Sequence, residues 1–428
     1  MEGVRPAMTP LSDELRDRGR RRAGFILLVG GLTLGLNVLL LRAPAPEPGT
    51  EHQYCVTVQP LGAGFRHIMN CDSEEFLALA KAPNLLLSPY HRLWQSRPLF
   101  TGLAYAIARP LQPLTSFGPR AAELTAYTLI NLAAVILAVL CFARLLQSGQ
   151  AGVPVAAELM FPLGVLMTND VTKAFFWTPH VQVFNIFVPC LTLYLNFRLI
   201  DRGRPLESHE AVLLGLALGV GVTIYGSVAI PVLCAAAVQG LVYRRILAPV
   251  LLGAASLAPF ACWFLFVRLV TGSFYSNEVE AFRQFVWMGD CIRAGWAACA
   301  QTVKNNAWLF ARYTAPVILM PIVLAGGCRV ARHLWPGIPA PPLPKRGALT
   351  LAIAFSLVVT TTFLALMGFY VTRLSWMLVP PLLLILAIEL RDLRLSRADP
   401  AGSRFKAGVL AAYMVYFIVL LVRRGPYS

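Results

Sequence analysis

Charge is scarce in this chain. Only 14% of its 428 residues are Asp, Glu, Lys or Arg, against 57% hydrophobic residues, and mean hydropathy is +0.64. A soluble domain of that length needs a polar shell this composition does not supply, which excludes one. Acids are scarcer still, 21 against 37 bases, for a net charge of +16. Such an excess would suit nucleic acid if the cations gathered on one face, but they fall at the ends of apolar runs, as membrane topology alone requires. Nucleic acid is therefore not an expected partner. Also missing are the Cys/His spacing of a zinc site, a Gly-rich nucleotide loop and a Ser-centred nucleophile elbow. No metal and no cofactor is expected, and a nucleotide-activated donor is disfavoured. Ionisable residues are nearly absent inside the apolar runs, which argues against an ion-coupled transporter. The exception, Glu158, lies about a turn inside its run and reads as a snorkelling acid or a partner of Arg144 or Arg198.

What is present is a succession of apolar runs long enough to cross a bilayer, each needing roughly 17–25 residues. The expected fold is all-α, a polytopic helical membrane protein forming a single integral domain over residues 1–428. Spans are predicted at 23–41, 121–146, 153–168, 181–200, 211–225, 227–243, 246–270, 307–327, 348–368, 375–390 and 407–422, about eleven in all. Arg16, Arg18, Arg20, Arg21 and Arg22 precede the first span, and the same side receives Arg198, Arg202, Arg204, Arg244, Arg245, Arg329, Arg332, Lys345, Arg346, Arg391 and Arg394. By the positive-inside rule that side is cytoplasmic, so the tail 1–22 is cytoplasmic and the protein is multi-pass in an inner or plasma membrane. Arg423 and Arg424 run against the trend.

Two large segments then face out, 42–120 and 271–306. In the first, Cys71 to Ala82 reads as a short amphipathic helix with Asp72 or Ser73 placed to cap it and Phe76, Leu77 and Leu79 on one side. A basic-aromatic link follows, with His91, Arg92, Trp94 and Arg97, and then a second amphipathic stretch, 99–109, too short to span. Cys55 and Cys71 lie in this loop in an oxidising compartment and either pair or stay free. Cys291 and Cys299, eight positions apart on one expected helix, are too distant to bridge. The segment 271–306 mixes Glu278, Glu280, Arg283 and Asp290 with aromatics and reads as part of a cleft or as an amphipathic lid.

An aspartate just after the first span, two helices lying along the outer membrane surface and a body of about eleven helices resemble the GT-C superfamily of membrane glycosyltransferases, which use polyprenyl-phosphate-linked sugars. The likeness is sharpest over residues 70–110, with weaker support around 169–180 and 369–381. It implies a sugar moved from a polyprenyl-phosphate carrier to an envelope glycan, glycolipid or protein acceptor on the periplasmic or outer face, among membrane lipids. Asp72 is then the general base for the acceptor hydroxyl, a role that chemistry independently suits to a carboxylate at a membrane-water boundary. Its plain alternative is a helix N-cap. Glu74 and Glu75 read as first-turn acids favoured by the helix dipole. A lipid-phosphate leaving group calls for guanidinium nearby, supplied by Arg92, Arg97 or, by its position at a late span junction, Arg373 beside Tyr370. Asp170 in the loop 168–180 is a candidate to orient the acceptor or, with Asp72, a divalent metal, and His180 and Gln182 could hydrogen-bond sugar hydroxyls or phosphate; several enzymes of this class need no metal, so none is expected. The competing functional classes are a lipid or glycan flippase or transporter, which needs no base at Asp72, and a non-catalytic partner in an envelope-synthesis complex.

Overall fold

The computed structural model describes residues 10–88, 94–114, 120–148, 157–334, 345–395 and 401–423. Its helices are α1 (Pro10–Leu40), α2 (Ser73–Lys81), α3 (Pro98–Leu111), α4 (Ala121–Ser148), α5 (Ala157–Met167), α6 (Asp170–Phe175), α7 (Phe184–Asp201), α8 (Ser208–Val222), α9 (Ala229–Ala237), α10 (Leu247–Thr271), α11 (Asn277–Glu280), α12 (Val286–Arg293), α13 (Trp296–Leu334), α14 (Arg346–Met367), α15 (Thr372–Ser375), α16 (Val379–Leu395) and α17 (Ala401–Val422). Seven of the described helices are long and apolar enough to cross a membrane: Arg20–Leu40, Ala121–Gln147, Val181–Asp201, Leu247–Thr271, Trp296–Leu334, Arg346–Met367 and Thr372–Leu393. Ser208–Val222, Gly226–Val242 and Ala407–Val422 are apolar but shorter. The protein is thus a nearly all-α, multi-pass membrane protein.

The exception to all-α lies in the first long connection. Strands β1 (Val56–Gly62) and β2 (Phe65–Asn70) pair antiparallel, Val56 opposite Asn70, around a turn in which Gly62 and Gly64 take positive φ. The Cys55–Cys71 disulfide closes the base of this hairpin with Cα atoms 5.1 Å apart, which answers the question the sequence left open. Both expected amphipathic stretches are helical, as α2 and α3. Phe76, Leu77 and Leu79 are buried on one side of α2 as the periodicity predicts. Phe76 stacks on Trp94 at 4.5 Å and meets Phe100 edge-on at 5.4 Å, and its carbonyl accepts from the Tyr127 hydroxyl at 2.8 Å. One fully buried ring therefore pins α2 to α3 and α4.

A second expectation fails. Cys291 and Cys299 are disulfide-bonded, with Cα atoms 4.5 Å apart. On one continuous helix eight residues would separate them by about 12 Å. The chain instead leaves α12 at Arg293 and turns at Gly295, whose φ is +87°, before α13 starts, so the two cysteines sit on different helices and face each other.

Ion pairs gather the helix ends remote from the first connection. Arg332 near the end of α13 reaches Asp392 of α16 at 2.7 Å and Glu389 at 3.3 Å. Arg346 at the start of α14 joins the same Asp392 at 3.6 Å, and Lys345 meets Asp201 at the end of α7 at 2.7 Å. Asp392 is buried, so these charges need their partners. From that end α14 runs toward Met367, and α16 returns.

Small residues bring α8 and α10 together. A Cβ on Gly215 would stand 2.6 Å from the Leu252 carbonyl, and one on Gly219 would run into the Ser256 carbonyl. Gly215 and Gly219 form a small-xxx-small face, which lets backbones approach where apolar burial gives helices in lipid no net attraction. Val222 at the end of α8 and Leu257 with Phe260 in the middle of α10 wall the cavity described below. Gly219→Leu is expected to lower stability by about 1–3 kcal/mol through overpacking. Thermal melting in detergent checks this, and a variant melting like the parent would mean that α8 and α10 do not pack through this face.

Candidate functional site

A cavity of about 380 Å³ opens where five connections converge. Asp72 comes from the hairpin's end, Trp94, Ser96 and Arg97 from the link into α3, His180 and Gln182 from the turn before α7, Tyr225 from the break between α8 and α9, and Arg373 from α15. The stretch 276–285 closes one side with Glu278, Phe282 and Phe285, opposite Phe363 and Phe369. The cavity is thus charged at one end and aromatic at the other.

Asp72 precedes α2, where a capping role was the plain alternative. Its side chain makes no capping hydrogen bond, and its backbone N–H donates instead to Asn70 Oδ1 at 3.0 Å. The carboxylate is turned toward His180, whose Nε2 stands 3.5 Å from Oδ2. His180 Nδ1 accepts the Gln182 N–H at 3.3 Å, which leaves the ring proton on Nε2, where it points at Asp72. Burial is the largest influence on His180 and drives its pKa down to about 4, against the Asp72 contact and with help from Arg373. The ring is therefore neutral at pH 7, and the contact is a hydrogen bond from a neutral imidazole, long for its kind. Burial also acts most strongly on Asp72 and would raise its pKa, but the His180 hydrogen bond and the charges of Arg373 and Arg97 together outweigh it and hold the carboxyl below its ordinary value. Its side chain is 37% exposed, against 4% for His180. The acid is accessible from the cavity and the histidine is not.

Arg97 is the second fixed charge. One terminal nitrogen donates to Glu278 at 2.7 Å, and the guanidinium lies 4.9 Å from the Trp94 ring centroid. Its Nε and Nη1 are buried with no hydrogen-bond partner among the described residues. Buried unpaired donors of a cation are costly, and an anion entering the cavity would satisfy them. Glu278 also accepts from the Ser96 and Ser276 hydroxyls at 3.0 and 3.2 Å. Burial acts first on it, but Arg97 and these donors hold its pKa below the usual value. Gln95 anchors the same stretch, its carbonyl accepting from Trp263 at 2.6 Å and its side-chain oxygen from the Tyr275 N–H at 3.0 Å. Arg373 places its guanidinium 5.5 Å from the Phe175 ring centroid.

The expected site residues therefore divide. Asp72, His180, Arg97 and Arg373 line one cavity, and so does Gln182. Asp170 does not line it: in the first turn of α6, behind an Asn169–Thr172 capping box, it binds Arg423 at 3.1 Å. Lys173 of the same helix caps α17 by donating to the Leu420 and Arg423 carbonyls at 2.8 and 2.9 Å, and burial lowers its pKa to about 8. Tyr370 turns its hydroxyl back to the Ala365 carbonyl at 2.7 Å and is absent from the lining. Arg92 lies outside the described residues. Glu74 is taken by Arg120 at 2.6 Å and Glu75 accepts from the Trp94 indole at 3.0 Å. Among the described residues no three His, Cys, Asp or Glu side chains gather as a metal would require. The sequence reading missed Tyr225 and the part Glu278 plays in fixing Arg97. Tyr225 lies in the break between two apolar helices and Glu278 in the connection after α10, where neither periodicity nor spacing signals a contact. Comparison with protein-family models and with curated proteins finds no match for this chain.

The buried neutral histidine sets an acid limit on the fold. An unfolded His takes up its proton near pH 6.5, whereas His180 in the fold does so only near 4. Between those values the unfolded chain binds more protons, so stability falls as pH drops from 6.5 toward 4, by about 3 kcal/mol at most. His180→Gln is expected to flatten that slope. Melting temperatures at pH 7, 6 and 5 read it directly, and an unchanged slope in the variant would assign the acid sensitivity elsewhere.

Proposed function

We propose that this protein is a membrane glycosyltransferase of the GT-C type, transferring a sugar from a polyprenyl-phosphate carrier to a hydroxyl on an envelope glycan, glycolipid or protein. The observation that carries the reading is an ionised, accessible Asp72 carboxylate, free of any capping duty, sharing one cavity with two guanidinium groups and an aromatic wall. In the reaction Asp72 accepts the acceptor hydroxyl's proton as that oxygen attacks the anomeric carbon. The bond from the anomeric carbon to the phosphate oxygen breaks, and polyprenyl phosphate departs with the electron pair. Arg373 and the unpaired nitrogens of Arg97 stabilise the charge that develops on it. Attack on the face opposite the leaving group inverts the anomeric centre. His180 holds the base instead of touching sugar, a change from its expected role in acceptor binding. The phenylalanines and Leu257 suit the first isoprene units of the carrier.

In the same reading the shorter apolar helices α5, α8, α9 and α17 also traverse the membrane, for a total of about eleven spans. The N-terminus is cytoplasmic, α2 and α3 lie along the outer surface, and the cavity opens on that outer face of an inner or plasma membrane. The Arg-rich, ion-paired end of the bundle then faces the cytoplasm.

Asp72→Asn keeps the shape of the side chain and removes the base. Assayed with radiolabelled polyprenyl-phosphate sugars, it is expected to lose at least about 100-fold in kcat. Transfer undiminished in a folded variant refutes the base assignment. Labelled lipid-linked sugar that crosses liposomes with no transfer product, and does so equally well in Asp72→Asn, would identify a flippase instead. A second substitution separates binding from chemistry: Arg373→Ala should raise KM for the donor by about tenfold or more, the loss of one charge-assisted contact. Donor titration under steady-state conditions reads this, and an unaltered KM would remove Arg373 from the phosphate site.

A further inference from the structure

Asn185 is fully buried in the first turn of α7 and is not among the residues lining the cavity, yet three of the four hydrogen-bonding valences of its side chain are spent on residues that are. Its Nδ2 donates to Gln182 Oε1 at 2.6 Å and to the Arg373 carbonyl at 2.9 Å. Its Oδ1 accepts from the Tyr225 hydroxyl at 2.6 Å. Three separate connections, 176–183, 223–228 and 368–375, thus converge on one amide. One of them carries a guanidinium, Arg373, and a second guanidinium, Arg97, lies against another. Arg373 belongs to α15, a helix of four residues, too short to satisfy its own carbonyls, so the Asn185 bond fixes that backbone directly. Arg97 is held at one remove, its guanidinium 5.8 Å from the centroid of the Tyr225 ring whose hydroxyl Asn185 orients.

We infer that Asn185 is a positioning residue that sets the separation of Arg373 and Arg97, and hence the fit of a phosphate group between them. The inference rests on the proposed glycosyltransferase reading for the identity of that phosphate. An apolar residue at 185 leaves the Tyr225 hydroxyl and the Arg373 carbonyl without their partner and lets the two cations drift apart. Asp72 and His180 have no hydrogen bond to Asn185 itself, and the proton-accepting end is reached only at one remove, through Gln182, whose N–H donates to His180 Nδ1.

The test is direct binding of polyprenyl monophosphate to the full chain in nanodiscs, by titration calorimetry. Asn185→Ala is expected to bind about tenfold more weakly, the equivalent of one buried hydrogen bond lost with its partner stranded. At saturating donor its kcat should stay within about threefold of the parent, so that the loss falls on donor binding. Tyr225→Phe deletes the hydroxyl alone, without opening a cavity, and keeps the question answerable if the alanine variant does not fold. It should weaken binding in the same direction, and the double variant should be less than additive. Parent-like affinity in the folded fraction of either single variant, or a loss carried by kcat instead of affinity, overturns the positioning role. A parent chain with no affinity for polyprenyl monophosphate overturns the glycosyltransferase reading first and takes this inference with it, an outcome visible before any variant is made.

Discussion

The chemistry of the cavity depends on one amide that lies outside it. Buried non-helical backbone must have its carbonyls satisfied internally. After α6 the chain makes such a turn, and the Asn131 side-chain amide, fully buried in α4, donates toward the carbonyls of Phe175, Phe176 and Thr178 at 3.0, 3.1 and 3.2 Å. The turn held in this way presents Thr178, whose hydroxyl donates to the Ile68 carbonyl of β2 at 3.0 Å. Two residues beyond Thr178 is His180, and four beyond Ile68 is Asp72. The contact between acid and histidine thus follows from a clasp made elsewhere: Asn131 fixes the turn, Thr178 fixes the hairpin to the turn, and the Cys55–Cys71 bridge fixes the end of the hairpin.

That dependence explains which parts of the molecule were readable in advance. Apolar runs declare helices because composition and length suffice, and each expected run coincides with helix among the described residues. The face of α2 was readable for the same reason, through the spacing of Phe76, Leu77 and Leu79. The hairpin was not read, although Gly62-Ala63-Gly64 between two short stretches is a turn signal, and Pro60 within the first stretch weakens a strand pattern. The Cys291–Cys299 bridge was misread through an unbroken helix assumed across Gly295. Glu278 was noted only as one charge among several, since its meaning lies in Arg97, 181 positions away. Asp170 was misjudged in the other direction: a carboxylate in a promising loop is absorbed by Arg423 at the far end of the chain. Spacing speaks for partners a turn or two away, and this site is built almost entirely from partners much farther apart.

Under the proposed function, the low pKa of Asp72 poses a difficulty that the same geometry resolves. A carboxyl held below its ordinary value is a weak base, and proton transfer in the transition state favours a stronger one. The depression owes most to His180, and the charges of Arg373 and Arg97 supply a further part that a bound anion can offset. A phosphodiester seated against those guanidiniums brings a negative charge of its own and cancels part of their pull on Asp72. Its pKa then rises when the donor is bound, and the acid becomes a better base at the moment one is needed. The neutral His180 orients the carboxylate through a hydrogen bond that also lowers its pKa, but it places no full positive charge beside the acid at neutral pH. A protonated histidine in that position would defeat the arrangement, which gives the deep burial of His180 a chemical purpose as well as a structural cost.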